Sequence, residues 1–263
     1  MENKIKLNGV PETMLQTLWA RSNESRKENH VIFDEEAIRI IDKIDYDFSK
    51  AQNDKMMSNG VIARTVLLDE MVSGYLNSHK DVTVINNACC LETRCYRMRN
   101  LYKNWYNLDL PETIDVRRIF MEEHGPVFDI AKSAMDESWA EDVKELGENV
   151  LVIIEGLTMY LNEADVKKIF EIIGSKFKNI TVFVETMNPL VVKSVKEKSI
   201  KDSASFNWGV KNGKAFSSII PQFNFVEERS LAEGMAKLFP VYNLLKHIKP
   251  VREISNKIIV FEK

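Results

Sequence analysis

Residues 81–110 read DVTVINNACCLETRCYRMRNLYKNWYNLDL, and this stretch decides the fold. An apolar, β-branched run at Val82, Val84 and Ile85 stops at Asn86 and Asn87. A helix-like segment follows, and a second apolar run from Trp105 to Leu108 ends on Asp109. These are the opening parts of a nucleotide-binding βαβ unit. The turn after its first strand aims backbone N–H groups at a ligand, and an acid about 20 positions later accepts from ribose hydroxyls. Asp109 lies nineteen positions after Cys90. The glycines usual in such a turn are missing, and Ala88, Cys89 and Cys90 stand in their place.

Downstream of this stretch, strand and helix patterns alternate. Apolar runs predict strands at 82–86, 105–108, 127–131, 150–155, 180–185 and 257–261, with helices at 92–99, 112–122, 137–145 and 163–177. Such alternation implies a doubly wound, mainly parallel sheet. Residues 186–251 break the rhythm. They hold a polar, basic helix pattern at 194–202, an Asn212-Gly213 turn signal and apolar patches at 223–226 and 238–245. An insertion before a last strand can shape a substrate pocket, because open α/β sheets bind ligands at the C-terminal ends of their strands. The layout read from the sequence is one domain over 1–263: a helical cap at 1–78, a nucleotide-binding core at 79–185, the insertion at 186–251 and a closing strand at 252–263.

Upstream, residues 11–78 read as helical. Met14, Leu15, Leu18 and Trp19 share one helix, Asp34 caps EEAIRIIDKI, and a longer helix at 57–76 carries Ile62, Val66, Leu67, Met71 and Val72. Arg64 sits within that apolar pattern. It either snorkels to an acid or to solvent, or grips a ligand carboxylate with its planar fork.

Composition narrows the function. The 263 residues are 44% hydrophobic, enough for a sizeable core, and 36 basic and 39 acidic residues are interspersed without the one-signed face that nucleic acid requires. No apolar run approaches the ~18 residues of a membrane span and no signal-peptide core opens the chain, so the expected setting is cytoplasmic, with neither membrane nor nucleic acid as partner. Cys89, Cys90 and Cys95 form neither a disulfide framework nor, with four scattered histidines, a metal site. There is no Walker lysine, nucleophile elbow or catalytic triad. Acids do fall at or beyond successive strand ends: Asp109, Asp136 and Glu155. Each alone is an ordinary helix cap; three in register point to a ligand edge rich in acceptors.

The strings GVPETMLQTLWARSNESR, IDYDF, ARTVLLDE, VINNACCLETRCYR, WYNLDLPETIDVRR, SAMDESW, IIEGLTMYL and FNWGVKNGK, in this order, cover nearly the whole chain. They resemble the leucine carboxyl methyltransferase superfamily, in the bacterial branch that is similar to the tetracenomycin polyketide O-methyltransferases. The resemblance departs at the turn. The family has a leucine and two glycines around the position of Cys89, then Leu-Asp-Thr-Arg; here Leu91, Glu92, Thr93 and Arg94 follow Cys90. The resemblance implies a Rossmann-like class I methyltransferase sheet of seven strands, mostly parallel with the last antiparallel, binding S-adenosylmethionine and releasing S-adenosylhomocysteine. It assigns the donor's carboxylate to Arg64, the ribose hydroxyls to Asp109 beside Leu110, the adenine region to Asp136 and the amino-acid portion to Glu155. Ala88, Cys89 and Cys90 would contact the cofactor through backbone, and Tyr160 is a candidate on the donor or acceptor side. The implied reaction is O-methylation of a carboxylate on a peptide C-terminus or small acid, by a monomer or weak homo-oligomer. A polyketide-like hydroxyl acceptor and a catalytically silent homologue with an altered turn are the alternatives. A nicotinamide dehydrogenase is disfavoured, because pyrophosphate needs the close approach that glycines permit.

Overall fold

The computed structural model describes residues 12–121, 123, 125–194 and 206–263. Four helices come first: α1 (Glu12–Ser25), α2 (Glu35–Lys43), α3 (Ser49–Asn53) and α4 (Lys55–Ser78). The alternating part holds β1 (Val82–Asn87), α5 (Arg94–Arg97), β2 (Asn104–Asp109), α6 (Pro111–Phe120), β3 (Val127–Ala131), β4 (Asn149–Ile154), α7 (Glu163–Lys176) and β5 (Ile180–Thr186). The remainder is α8 (Pro189–Ser194), α9 (Gly213–Ser217), β6 (Asn224–Ser230), α10 (Leu231–Leu238), α11 (Tyr242–Leu245), α12 (Lys249–Ile254) and β7 (Lys257–Glu262).

The seven strands form one sheet in the order β3-β2-β1-β4-β5-β7-β6. Neighbours from β3 to β5 are parallel, while β7 runs antiparallel to both β5 and β6. Strand order reverses at β1, with β2 on one side and β4 on the other. That switch point is where open α/β sheets leave a crevice beyond their strand ends. β1 and β5 are buried along their whole length, as strands covered on both faces must be. One face packs Ile85, Leu108, Val152 and Val182 against Phe170 of α7 and Phe216 of α9. The other packs Val84, Trp105, Ile153 and Phe183 against Leu67, Leu68 and Val72 of α4. Among the described residues, no helix is long and apolar enough to cross a membrane.

Two expectations need correcting, and two features of the insertion take a definite form. The helix expected at 92–99 is only Arg94–Arg97, ended by Asn100 in left-handed backbone at φ 72°. The one expected at 137–145 is a 3-10 turn, Glu137–Asp142, anchored by the buried Trp139, whose indole N–H donates to Ala134 O. Asn212 does not simply turn the chain: its side chain accepts from the Ala215 N–H and caps α9. The apolar patch at 223–226 lies at the start of β6, an edge strand with a bulge between Phe225 and Glu227. Most of the basic helix pattern at 194–202 lies outside the described residues.

Candidate active site

The turn after β1 holds its shape without glycine. Ala88 and Cys90 both sit in the left-handed region, at φ 55° and 45°, where a Cβ costs roughly 1–2 kcal/mol. Side chains from three other elements hold it there. Asp109 at the end of β2 accepts from Cys90 N at 2.8 Å, Arg117 of α6 donates to Glu92 O at 2.7 Å and to Cys90 O at 3.4 Å, and Arg21 of α1 donates to Leu91 O at 2.8 Å. Backbone bonds from Cys89 N to Leu108 O and from Glu92 N to Cys89 O complete it. Burial raises the Cys89 and Cys90 thiols well above the ordinary cysteine range. Neither is poised as a thiolate nucleophile.

The acids expected at the strand ends occupy different settings. Glu155, immediately after β4, is buried between Arg94 Nη1 at 2.9 Å and Arg64 Nε at 2.6 Å. Asp109 is half-buried. Desolvation raises its pKa, and N–H bonds from Cys90 and Leu110 pull it back only partly. Leu110 is exposed, giving its N–H to Asp109. Asp136 is exposed and caps the 3-10 turn by accepting from Ser138 N at 3.0 Å, the ordinary cap role open to any acid after a strand. Asp109, Leu110 and Asp136 lie outside the cavity wall, whereas Arg64, Ala88, Cys89, Cys90, Glu155 and Tyr160 line it.

Arg64 projects from α4 onto the sheet edge, and a second glutamate meets it there. Glu185, near the end of β5, reaches Arg64 Nη1 at 3.1 Å. The sequence reading does not single out Glu185, although the rule that found Glu155, an acid at a strand's C-terminal end, applies to it equally. Around this pair runs a wider ion network. Arg94 bonds Asp69 at 2.6 Å; Arg97 bonds Asp69, Glu92 and Asp34; Arg21 bonds Asp34 at 2.9 Å and Glu92 at 3.2 Å. Burial opposes ionisation of Glu155, but Arg94 and Arg64 outweigh it and its pKa is lowered. The same balance, set by Arg21, Arg94 and Arg97, holds Glu92 well below the glutamate range. These pairs bind α1, the α2 cap and α4 to the turn and to β4.

The cavity has a volume of about 570 Å³, within the ~300–1,000 Å³ usual for small-ligand sites. Its charged lining is Asp54, Glu92, Glu155 and Glu185 against Arg21 and Arg64, a formal charge of −2, with neither histidine nor lysine among the described residues. A second wall is soft and apolar: Met14, Met56, Met57, Met159 and Met187, with Phe206 beside Tyr160 at a ring distance of 5.3 Å. The segment after residue 205 docks on the loop following β4 through bonds from Asn207 N to Met159 O and from Asn207 Nδ2 to Tyr160 O. Part of the insertion thus closes the cavity.

Sheet order, reversed last strand and an acid-lined crevice beyond β1, β4 and β5 define the class I S-adenosylmethionine-dependent methyltransferases. The solved structure of an S-adenosylmethionine-dependent methyltransferase from Clostridium acetobutylicum shares the fold, with a TM-score of 0.53 at 9% identity over 81% of this chain and 96% of that one. Residues 14–174 match the leucine carboxyl methyltransferase family, and the chain belongs to it. It is 31% identical to the tetracenomycin polyketide synthesis O-methyltransferase TcmP of Streptomyces glaucescens over 238 residues, covering 89% of this chain and 87% of that protein. It is 24% identical to the S-adenosyl-L-methionine-dependent methyltransferase dpfgK of Gibberella zeae, over 90% and 87% of the two chains. The chain is an S-adenosylmethionine-dependent methyltransferase, and its residues fit that cofactor. A wall of net negative charge suits a sulfonium cation, and Arg64 keeps Nη2, which has no protein partner among the described residues, for a carboxylate.

Proposed function

We propose that the chain methylates the carboxylate of a small acid with an apolar body, giving a methyl ester. The observation that carries this reading is the acid–base content of the cavity. Among the described residues no histidine or lysine lines it, and Glu92 and Glu155 are weakened as bases by their arginines. A hydroxyl acceptor needs a base to remove its proton; a carboxylate, ordinarily with a pKa near 4, is already ionised at neutral pH. The methionine wall suits an apolar acceptor of irregular shape, since thioethers repack around what they hold. A polyketide-like acid is consistent with the O-methyltransferase relative named above. The single cluster of unbridged cysteines is in keeping with a cytoplasmic setting.

When bound, S-adenosylmethionine supplies an electrophilic methyl on a positively charged sulfur. The chain's own part is alignment and exclusion of water. Arg64 would take the amino-acid carboxylate through Nη2, Glu155 would face the ammonium, and Asp109, which holds the turn from outside the cavity wall, would accept from the ribose. In-line displacement at that methyl by an ionised acceptor oxygen would require no further group from the chain. A second reading, a phenolic hydroxyl acceptor, rests on Tyr160 at the cavity wall. Transfer of a labelled methyl to a panel of apolar acids and phenols, followed by mild alkali, decides between the two. Release of labelled methanol is expected from an ester; a product that survives alkali overturns the carboxylate reading.

A further inference from the structure

Glu185 is 1% exposed, yet it is joined to three separate parts of the site. Oε2 accepts from Arg64 Nη1 at 3.1 Å and from the Gly156 N–H at 2.9 Å, and Oε1 accepts from Asn256 Nδ2 at 3.1 Å. Its backbone carbonyl accepts from the Thr158 hydroxyl at 2.7 Å. One carboxylate therefore ties β5 to α4, to the loop after β4 and to the residue before β7. Gly156 is left-handed at φ 65°, and a Cβ there would lie 3.4 Å from Arg64 Nη1, so the loop packs directly on the guanidinium. Arg64 donates a hydrogen bond from Nη1 to Glu185, whereas Nε lies 2.6 Å from Glu155 as an ion pair without hydrogen-bond geometry, so Glu185 supplies its directional contact. A planar guanidinium contacted at both Nη1 and Nε has its plane fixed, and the direction of Nη2 follows from that plane.

We propose that Glu185 is the positioning residue for the amino-acid end of the methyl donor: it sets the plane of Arg64 and the place of the loop at Gly156, while touching no ligand itself. Glu155 alone cannot do this, because it also serves Arg94 and meets Arg64 at one nitrogen only. This inference rests on Arg64 receiving the donor's carboxylate, and the test separates failure of one from failure of the other.

The affinities of S-adenosylhomocysteine and 5′-methylthioadenosine, which shares the nucleoside and lacks the amino-acid end, are measured by calorimetry on the full chain. Glu185→Gln is expected to weaken S-adenosylhomocysteine about tenfold or more and to leave methylthioadenosine within about twofold. Equal weakening of both ligands, or of neither, overturns the proposal, since a residue that only supports the fold has no reason to distinguish them. Arg64→Lys serves as the control. If it leaves the ratio of the two affinities unchanged, Arg64 does not receive the carboxylate, and the inference fails at that earlier step whatever Glu185→Gln does. Thermal melting accompanies each variant. If Glu185→Gln is unfolded, Glu185→Asp keeps the charge on a shorter arm; a selective but smaller loss for S-adenosylhomocysteine is then the supporting result and an equal loss the opposing one.

Discussion

Arg117 and Arg64 occupy the same face of the sheet, and both have pKa values raised by neighbouring anions against the opposing effect of burial. Their surroundings differ in one respect. Arg117 is fully buried and uses all three nitrogens on the protein: Nε on Asp129, Nη1 on Cys90 O and Glu92 O, and Nη2 on Glu123 and Cys95 Sγ. Arg64 is 16% exposed and lines the cavity; it is hydrogen-bonded through Nη1 and ion-paired at Nε, and Nη2 has no hydrogen-bond partner among the described residues. A saturated arginine fixes backbone; an arginine saturated on one side only can recognise a ligand. Burial and ion pairing do not separate the two roles, but an inventory of donors does.

The largest effect expected from this contrast is at Arg117. Arg117→Leu leaves Glu123 and Asp129 without their cation and frees the carbonyls of Cys90 and Glu92, so stability in urea should fall by about 3–5 kcal/mol. A loss under about 1 kcal/mol would erase the distinction. Arg64→Lys keeps the charge and loses the fork. Its affinity for S-adenosylhomocysteine should drop about tenfold, or about 1.4 kcal/mol, with less change in melting temperature than Arg117→Leu brings.

Next comes pH. Glu92 and Glu155, on the Arg64 side, have lowered pKa values, so the stability they add is complete above the ordinary glutamate pKa of about 4.3 and is lost as pH falls from there toward their depressed values. Asp129, on the Arg117 side, is raised by burial despite Arg117, so the folded state gains as pH falls through its raised pKa toward the ordinary aspartate value of about 3.9. Urea melts from pH 7 to 3 should show Asp129→Asn losing part of the gain on the way down to pH ~4, and Glu92→Gln losing part of the fall below it. Identical profiles for the two variants would contradict the contrast. The smallest effect is at Cys90. Cys90→Gly relieves a left-handed Cβ but loosens the unfolded chain, for a net gain of about 0.5 kcal/mol and a melting temperature about 1–2 °C higher.

The alternating core was legible because strands buried on both faces must be apolar and acids must follow them; β1, β2 and β4 fall within a residue or two of the apolar runs. β6 was not legible. Among the described residues it pairs only with β7, and its Asn224, Val226 and Glu227 are exposed, so no period-2 apolar pattern marks it. The site was legible by parts. Arg64 and Glu155, named separately in the sequence, form an ion pair at the cavity wall. The turn raised a question that residue types leave undecided, the sign of φ at Ala88 and Cys90, and the structure gives the strained answer. Arg21 and Arg117, which hold that turn from α1 and α6, lie 70 and 27 residues from Leu91 and Cys90 in sequence, and no local pattern connects them to it.

The reversed strand has one more implication. Because β7 runs against β5, Lys257 at its start pairs with Thr186 at the end of β5, and Asn256 just before it reaches Glu185 at the ligand edge. A parallel strand brings only the loop that follows it to that edge; an antiparallel one brings the loop that precedes it. The cavity is therefore lined from distant parts of the chain at once: the loops after β1 and β4, the end of β5, helices α1 and α4, and the residue that precedes β7.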